Sequence, residues 1–274
     1  MLRRLNRTRQ IFASLGLAEG LRYVALRRVF RPLRNALLSP RHYILRSKHA
    51  AHPLKARSDS SDLEVFHQIF VALEYASLAN LANVDLVVDC GANVGYSSAY
   101  FLTRFPHCRL VAIEPDPENF ELLRENLAPY GDRAMVRRAG VWSHVAELVI
   151  DDTAYRDGRQ WTRQVRERRP GEEGVISAID LGTLLAEMGA PRISLLKIDI
   201  EGAEAVVFAH PSHKEWLDLV DAMTVELHDD SQFGPATEAF HAAIASQDFD
   251  ISRDCELTIC RRRGAWPPAA TARR

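Results

Sequence analysis

Residues 84–95 read Val84-Asp85-Leu86-Val87-Val88-Asp89-Cys90-Gly91-Ala92-Asn93-Val94-Gly95, an apolar run that ends in an acid and opens into a two-glycine loop. A short apolar run ending in an acid predicts a strand buried on both faces, as in a parallel sheet. Tyr96 to Phe105 behind it predicts a helix. Arg109 to Glu114 repeats the strand and again ends in an acid. Asp116-Pro117 then supplies an N-cap and a first-turn proline, ahead of Phe120, Leu123 and Leu127 on the buried stripe of a helix. Strand, helix, strand and helix in this order predict an α/β fold: a mainly parallel sheet with helices on both faces.

The alternation extends in both directions. Upstream, Leu63 to Leu81 predicts a helix. Downstream, Ala134 to Ala139 and His144 to Ile150 predict strands, followed by a polar loop over 151–174. Six basic and six acidic residues cancel in that loop, which argues against a phosphate grip and suits a lid or substrate loop. An Asp180-capped helix stopped by Gly189, a strand over Ile193 to Ile200 and a helix from Ala203 come next. Ala222 to His228 is a further strand, a helix starts at Pro235, and Phe249 to Cys260 closes the pattern as one or two edge strands.

The whole chain has 274 residues, 47% hydrophobic and 26% charged, enough for one large domain and an appendage. This composition excludes a disordered, collagen-like or coiled-coil protein. No run approaches the ~18 uncharged apolar residues of a membrane-spanning helix. The four cysteines, Cys90, Cys108, Cys255 and Cys260, include no CxxC pair and suggest neither a disulfide scaffold nor a zinc centre. The basic start at Arg3 and Arg4 has no apolar segment behind it, so a cytoplasmic location is expected.

Charge divides the chain. Residues 1–60 hold 14 basic and two acidic residues, +12, and the remainder 21 basic and 34 acidic, −13. Residues 1–58 are expected to form a basic, amphipathic, helical N-terminal extension, broken at Pro32, Pro40 and Pro53. Its apolar stripe can pack on the main domain or dock peripherally on the anionic inner face of the membrane. Nucleic acid is not an expected partner, because no aromatic residues interleave the basic ones. Residues 59–262 are expected to form the main domain, and 263–274 a flexible tail.

In an open parallel sheet, ligands bind at the carboxyl ends of the strands. The proposed strands end there in Asp89, Glu114, Asp199 and His228. The DxGxNxG spacing of the first loop departs from the GxGxxG of dinucleotide sites, which disfavours a nicotinamide-dependent oxidoreductase. Glu114 is placed to accept both hydroxyls of a ribose. Strand alternation puts Lys197 and Asp199 on one face and Glu226 and His228 on another common face. A lysine in so apolar a strand must be paired, by Asp199 or Glu226. His228 at the rim is the candidate general base, with Asp199 and Glu201 as alternatives or orienters. Asp199 with Glu226 or His228 could hold a divalent cation, but no third ligand is evident, so no metal centre is expected.

VVDCGANVGYSS (87–98), AIEPDPENFELLRENL (112–127), LLKIDIEGAE (195–204) and VELH (225–228) together resemble FkbM-type methyltransferases. The resemblance covers residues 84–230, and LLKIDIEGAE is its specific element. It implies a class I methyltransferase (Rossmann-like) sheet and S-adenosylmethionine as cofactor. Asp89, Gly91, Asn93 and Gly95 fall on the loop that holds the methionine part, Glu114 on the ribose-binding acid, and Val141 and Trp142 where the adenine is flanked. The implied reaction is in-line methyl transfer to a hydroxyl of a sugar, glycan or secondary metabolite, with Lys197, Asp199, Glu201 and His228 around the reacting oxygen. The rival reading is a non-catalytic, membrane-associated binding protein that keeps the fold.

Overall fold

The computed structural model describes residues 2–27, 42–151 and 164–265. The chain enters through α1 (Leu2–Leu15) and α2 (Leu17–Ala25), and after residue 41 forms a hairpin of β1 (His42–Leu45) and β2 (Leu54–Arg57). This region shares the core of the main domain. Leu15, Tyr23, Tyr43, Leu45, Leu54 and Ala56 are buried in the same hydrophobic cluster as Phe66 and Tyr96. Tyr23 donates its hydroxyl to the Leu63 carbonyl, and Tyr96 does so to Lys55. Packing is thus continuous across residue 58, and the hairpin replaces the helix expected there. Leu17 and Leu21 remain exposed on α2.

α3 (Asp62–Phe70) is shorter than the helix read over 63–81. The chain turns at Leu73, whose φ is +58°, and a short helical turn follows at Ala76–Leu78. Next come β3 (Leu86–Cys90), α4 (Tyr96–Arg104), β4 (Arg109–Ile113), α5 (Pro117–Leu127) and β5 (Ala134–Arg137), close to their expected bounds. Asp116 caps α5 as its sequence predicts, accepting from the backbone N–H groups of Glu118 and Asn119.

β6 (Gly140–Val141), β7 (Glu147–Asp151), β8 (Gln164–Glu167) and β9 (Ile176–Ile179) make a separate four-stranded sheet in the order β6-β9-β7-β8. The strand expected over 144–150 therefore lies outside the main sheet. The loop expected over 151–174 contains a strand, β8, paired antiparallel with β7, while its residues 152–163 lie outside the described part of the chain. α6 (Leu181–Met188) is capped by Asp180 and stopped by Gly189 in the left-handed region, as expected. β10 (Ile193–Ile198), α7 (Glu204–Ala209), α8 (His213–Trp216), β11 (Val220–Glu226), α9 (Ala236–Ile244), β12 (Phe249–Asp254) and β13 (Leu257–Arg262) complete the chain. Residues 266–274, most of the expected tail, are outside the described part.

The main sheet runs β12-β13-β11-β10-β3-β4-β5. β11, β10, β3, β4 and β5 are parallel, and β13 is inserted antiparallel between β11 and β12. This is the class I methyltransferase sheet. Both faces are covered. Val87, Leu110 and Ala112 meet α3, α4 and α5, whereas Val88, Cys90, Val111 and Ile113 meet α6, α7 and α9. Burial on both sides is why β3 reads as a continuous apolar run rather than an alternating one. Among the described residues, no helix is long and apolar enough to cross a membrane.

Candidate active site

A cavity of about 360 Å³ opens at the carboxyl ends of β3, β4, β10 and β11. Two groups of residues line it: Gly91, Ala92, Asn93, Glu114, Asp116 and Val141, with Asn93 and Asp116 hydrogen-bonded to Glu114, and Glu74, Asp199, Glu201, Glu226 and Glu256, with Glu74 in the field of Asp199, Glu226, Glu256 and Lys197. Gly91 and Asp199 are where the two groups touch.

The glycine end is built by close packing. Gly91 has φ +74°, and a Cβ there would stand 1.8 Å from the Asp199 carbonyl oxygen. Gly95 has φ +85°, and a Cβ would meet Leu123 at 2.8 Å. These glycines let the loop sit against β10 and α5, so their first duty is to the protein, not to a ligand. Asn93 is also left-handed, φ +49°, a conformation asparagine tolerates better than most residues. Its N–H donates to Glu114 Oε2 at 2.8 Å, while Glu114 Oε1 accepts from Asp116 N–H at 3.0 Å. Glu114 is buried. Burial, with the nearby Asp116 charge, pushes its carboxyl up to about 7 against the hydrogen bonds that favour the ion.

Lys197 holds the centre. Its Nζ donates to the carbonyls of Gly91 (2.7 Å) and Cys90 (3.3 Å) and lies 3.4 Å from both Asp89 Oδ1 and Asp199 Oδ2. The pairing with Asp199 expected from strand alternation is present. Burial disfavours its charge, but the Asp199 and Asp89 carboxylates outweigh that and raise its pKa well above the ordinary value. Asp89 lies behind the cavity wall, fully buried, its Oδ2 accepting from Ser97 and Ser98 hydroxyls at 2.6 Å each. It anchors Lys197 and the start of α4.

His228 differs from expectation. It is 1% exposed and does not line the cavity. Nδ1 donates to Glu204 Oε1 at 3.0 Å, and Nε2 faces Glu226 Oε1 at 3.4 Å and Glu201 Oε2 at 3.8 Å. Burial alone would discharge the ring, but Glu204 and Glu226 push its pKa up to about 11. The structure thus places His228 behind the cavity among Glu204, Glu226 and Glu201, not at the rim expected for a general base. Trp142 is also turned away from the cavity, donating Nε1–H to Glu167 Oε1 (3.0 Å) and packing edge-on to Phe233. Val141 lines the cavity without it.

Sequence reasoning missed Glu74. The helix read through 63–81 would bury or expose this residue with its neighbours, but the break at Leu73 turns it into the cavity. Burial, then the charges of Asp199 and Glu226, push its carboxyl up to about 7. Gln164 was missed as well. From β8 it donates Nε2–H to the Glu201 carbonyl at 2.6 Å and so clamps the turn after β10.

Comparison with known proteins identifies the family. The methyltransferase FkbM domain matches residues 89–251, more than half of the chain. The chain belongs to the FkbM methyltransferase family. This FkbM-family enzyme is 28% identical over 233 residues to the methyltransferase sdnD of Sordaria araneosa, covering 74% of this chain and 85% of that one. It is 28% identical over 174 residues to the 31-O-demethyl-FK506 methyltransferase FkbM of Streptomyces tacrolimicus, covering 53% and 66%. It is 26% identical over 166 residues to the 2-O-methyltransferase NoeI of Sinorhizobium fredii, covering 56% and 65%. The enzyme is therefore a methyltransferase that uses S-adenosylmethionine.

The cavity suits that cofactor. Glu114 Oε2 accepts from one backbone N–H and keeps a second lone pair for a ribose hydroxyl, while Oε1 accepts from Asp116 N–H and, at 3.5 Å, from Asn119 Nδ2. The loop beside it approaches as only its glycines allow.

Proposed function

We propose that this FkbM-family enzyme O-methylates a hydroxyl of a sugar, glycan or secondary metabolite. The observation that carries the reading is the two-ended cavity: a glycine-loop and carboxylate end for the cofactor meets an end lined by carboxylates, with Lys197 at the junction. Two relatives whose names specify O-methylation support the choice of oxygen as acceptor.

In this reading, Gly91, Ala92 and Asn93 hold the methionine part of the cofactor, Glu114 the ribose and Val141 one face of the adenine. The cofactor supplies an activated methyl group. The protein must then align the acceptor and take one proton. Glu74 accepts the hydroxyl proton, because a carboxylate poised near neutral pH is the best matched base at this end. Its proton affinity is set by Asp199, Glu226 and Glu256 on one side and Lys197 on the other. Lys197 and Asp199 position the loop and the acceptor, and Glu201, fixed through Gln164, borders the acceptor end.

The test is label transfer from tritiated S-adenosylmethionine to a panel of sugars, oligosaccharides and polyketide alcohols. Label recovered as an ether O-methyl supports the reading. Label found only on nitrogen or carbon overturns it.

A further inference from the structure

The acceptor end carries a feature that proton transfer by Glu74 does not use. Asp199, Glu226 and His228 each offer a ligand atom, and these atoms lie within 4.8 Å of one another. They come from separate places in the chain, the ends of β10 and β11 and the turn beyond. Sequence reading supplies only pairs of them. The fold supplies the third.

The imidazole distinguishes this cluster from an ordinary group of acids. His228 is 1% exposed, and its Nε2 is buried without a hydrogen-bond partner among the described residues. The nearest carboxylate oxygen, Glu226 Oε1 at 3.4 Å, stands in ion-pair contact. The other ring nitrogen is fixed by Glu204, whose Oε1 also accepts from Ile200 N–H at 2.8 Å. A carboxylate holding one ring nitrogen so that the other faces a cluster of donors is the outer-shell arrangement of metal-bound histidines. Asp199 and Glu226 line the cavity and are partly exposed, so they can rotate the short distance that bonds of about 2.1 Å require. Three protein ligands on one side, with the cavity on the other, leave coordination positions open to an acceptor.

We propose that Asp199, Glu226 and His228 bind one divalent cation at the acceptor end of the cavity. The cation would displace the proton on His228 Nε2 to solvent, leaving a neutral imidazole whose Nδ1–H is still held by Glu204. Two carboxylates and one imidazole suit an ion that takes both oxygen and nitrogen, with Mn²⁺ the best matched among the common ones. In the methyltransferase reading, on which its role rests, the cation would orient the acceptor hydroxyl and ease loss of its proton. The binding itself is independent of that reading.

The experiment is a Mn²⁺ titration of the full-length chain after removal of metals with EDTA, followed by the paramagnetic resonance signal of free Mn²⁺. S-adenosylhomocysteine binding is measured in parallel. The chain is expected to remove one Mn²⁺ equivalent, and Glu226→Gln and Asp199→Asn to weaken that binding by more than about tenfold. Glu226→Gln should keep its S-adenosylhomocysteine affinity, which separates ligand loss from misfolding. Spin-echo spectra of the wild-type complex should show ¹⁴N modulation from His228, a readout that needs no variant. No Mn²⁺ bound, equal binding by the variants, or a bound ion without nitrogen coupling overturns the proposal. Loss of S-adenosylhomocysteine binding by the wild-type chain would count against the cofactor-site reading and leave the metal site standing.

Discussion

The backbone N–H of Asn93 donates to Glu114 Oε2 at 2.8 Å, so the loop after β3 is tied to the carboxylate that ends β4. The bond exists because Asn93 is left-handed, φ +49°. Replacement by glycine should preserve it. A β-branched residue costs more there, on the order of 1–2 kcal/mol. Asn93→Val is therefore expected to lower the melting temperature by several degrees and weaken S-adenosylhomocysteine binding, and Asn93→Gly to do neither. Calorimetric melting and binding check both, and equal behaviour of the two variants would show that the backbone conformation is immaterial.

Glu114 and Glu74 set a pH dependence of stability. Burial raises both carboxyls from 4.5 to about 7. Between these values the folded chain binds more protons than the unfolded chain, so this contribution to stability falls as pH rises and its full penalty is reached above 7. The cofactor-free chain is expected to lose stability to urea from these groups between pH 5 and pH 7.5. Glu114→Gln should flatten that part of the profile. A wild-type profile rising across this window, unchanged in Glu114→Gln, would contradict the assignment.

Glu74→Gln removes the proposed base and leaves the cofactor end untouched. Methyl transfer should fall by about 10²–10⁴. S-adenosylhomocysteine affinity should not change. In enzyme freed of metal, where the charges of Asp199 and Glu226 act on Glu74 undiminished, the wild-type rate should decline below pH 7 as the carboxyl protonates, and the variant should lose that limb. Full activity in Glu74→Gln would move the base elsewhere.

Lys197→Met leaves Asp89 buried beside two serine hydroxyls without its cation. Breaking a buried pair from one side costs about 3–5 kcal/mol. Urea unfolding should show a loss of that order, and adding Asp89→Asn should recover part of it. A loss under about 1 kcal/mol, the scale of an exposed pair, would mean that Asp89 does not depend on Lys197.

Much of this architecture is legible in the sequence, because β3, β4 and β10 are buried on both faces and their helices carry explicit caps, such as Asp116 and Asp180. The strand-end acids follow from the same reading. Less is legible where a short element gains its stability from tertiary contacts. β1 and β2 have four residues each, too few for a clear period, and are held by Leu54 and Ala56 in the core. The small sheet takes Glu147–Asp151 out of the parallel series by pairing it with β8 and β9. Glu74 is hidden by an apolar pattern that continues past the break at Leu73. His228 falls at the expected strand end, but its carboxylate partner Glu204 lies on α7, and no local pattern announces that hydrogen bond.

The cofactor site is tested most simply by calorimetric titration of the purified chain with S-adenosylhomocysteine, alongside Glu114→Gln and Glu74→Gln. In Glu114→Gln, the new side-chain N–H₂ would face one of the two backbone N–H donors that the carboxylate now accepts from. Micromolar binding is expected for the wild type and for Glu74→Gln, with a loss of more than about tenfold, some 1.4 kcal/mol, in Glu114→Gln. Binding that is absent from the folded wild-type chain, or undiminished in Glu114→Gln, would contradict the assignment of this cavity to S-adenosylmethionine.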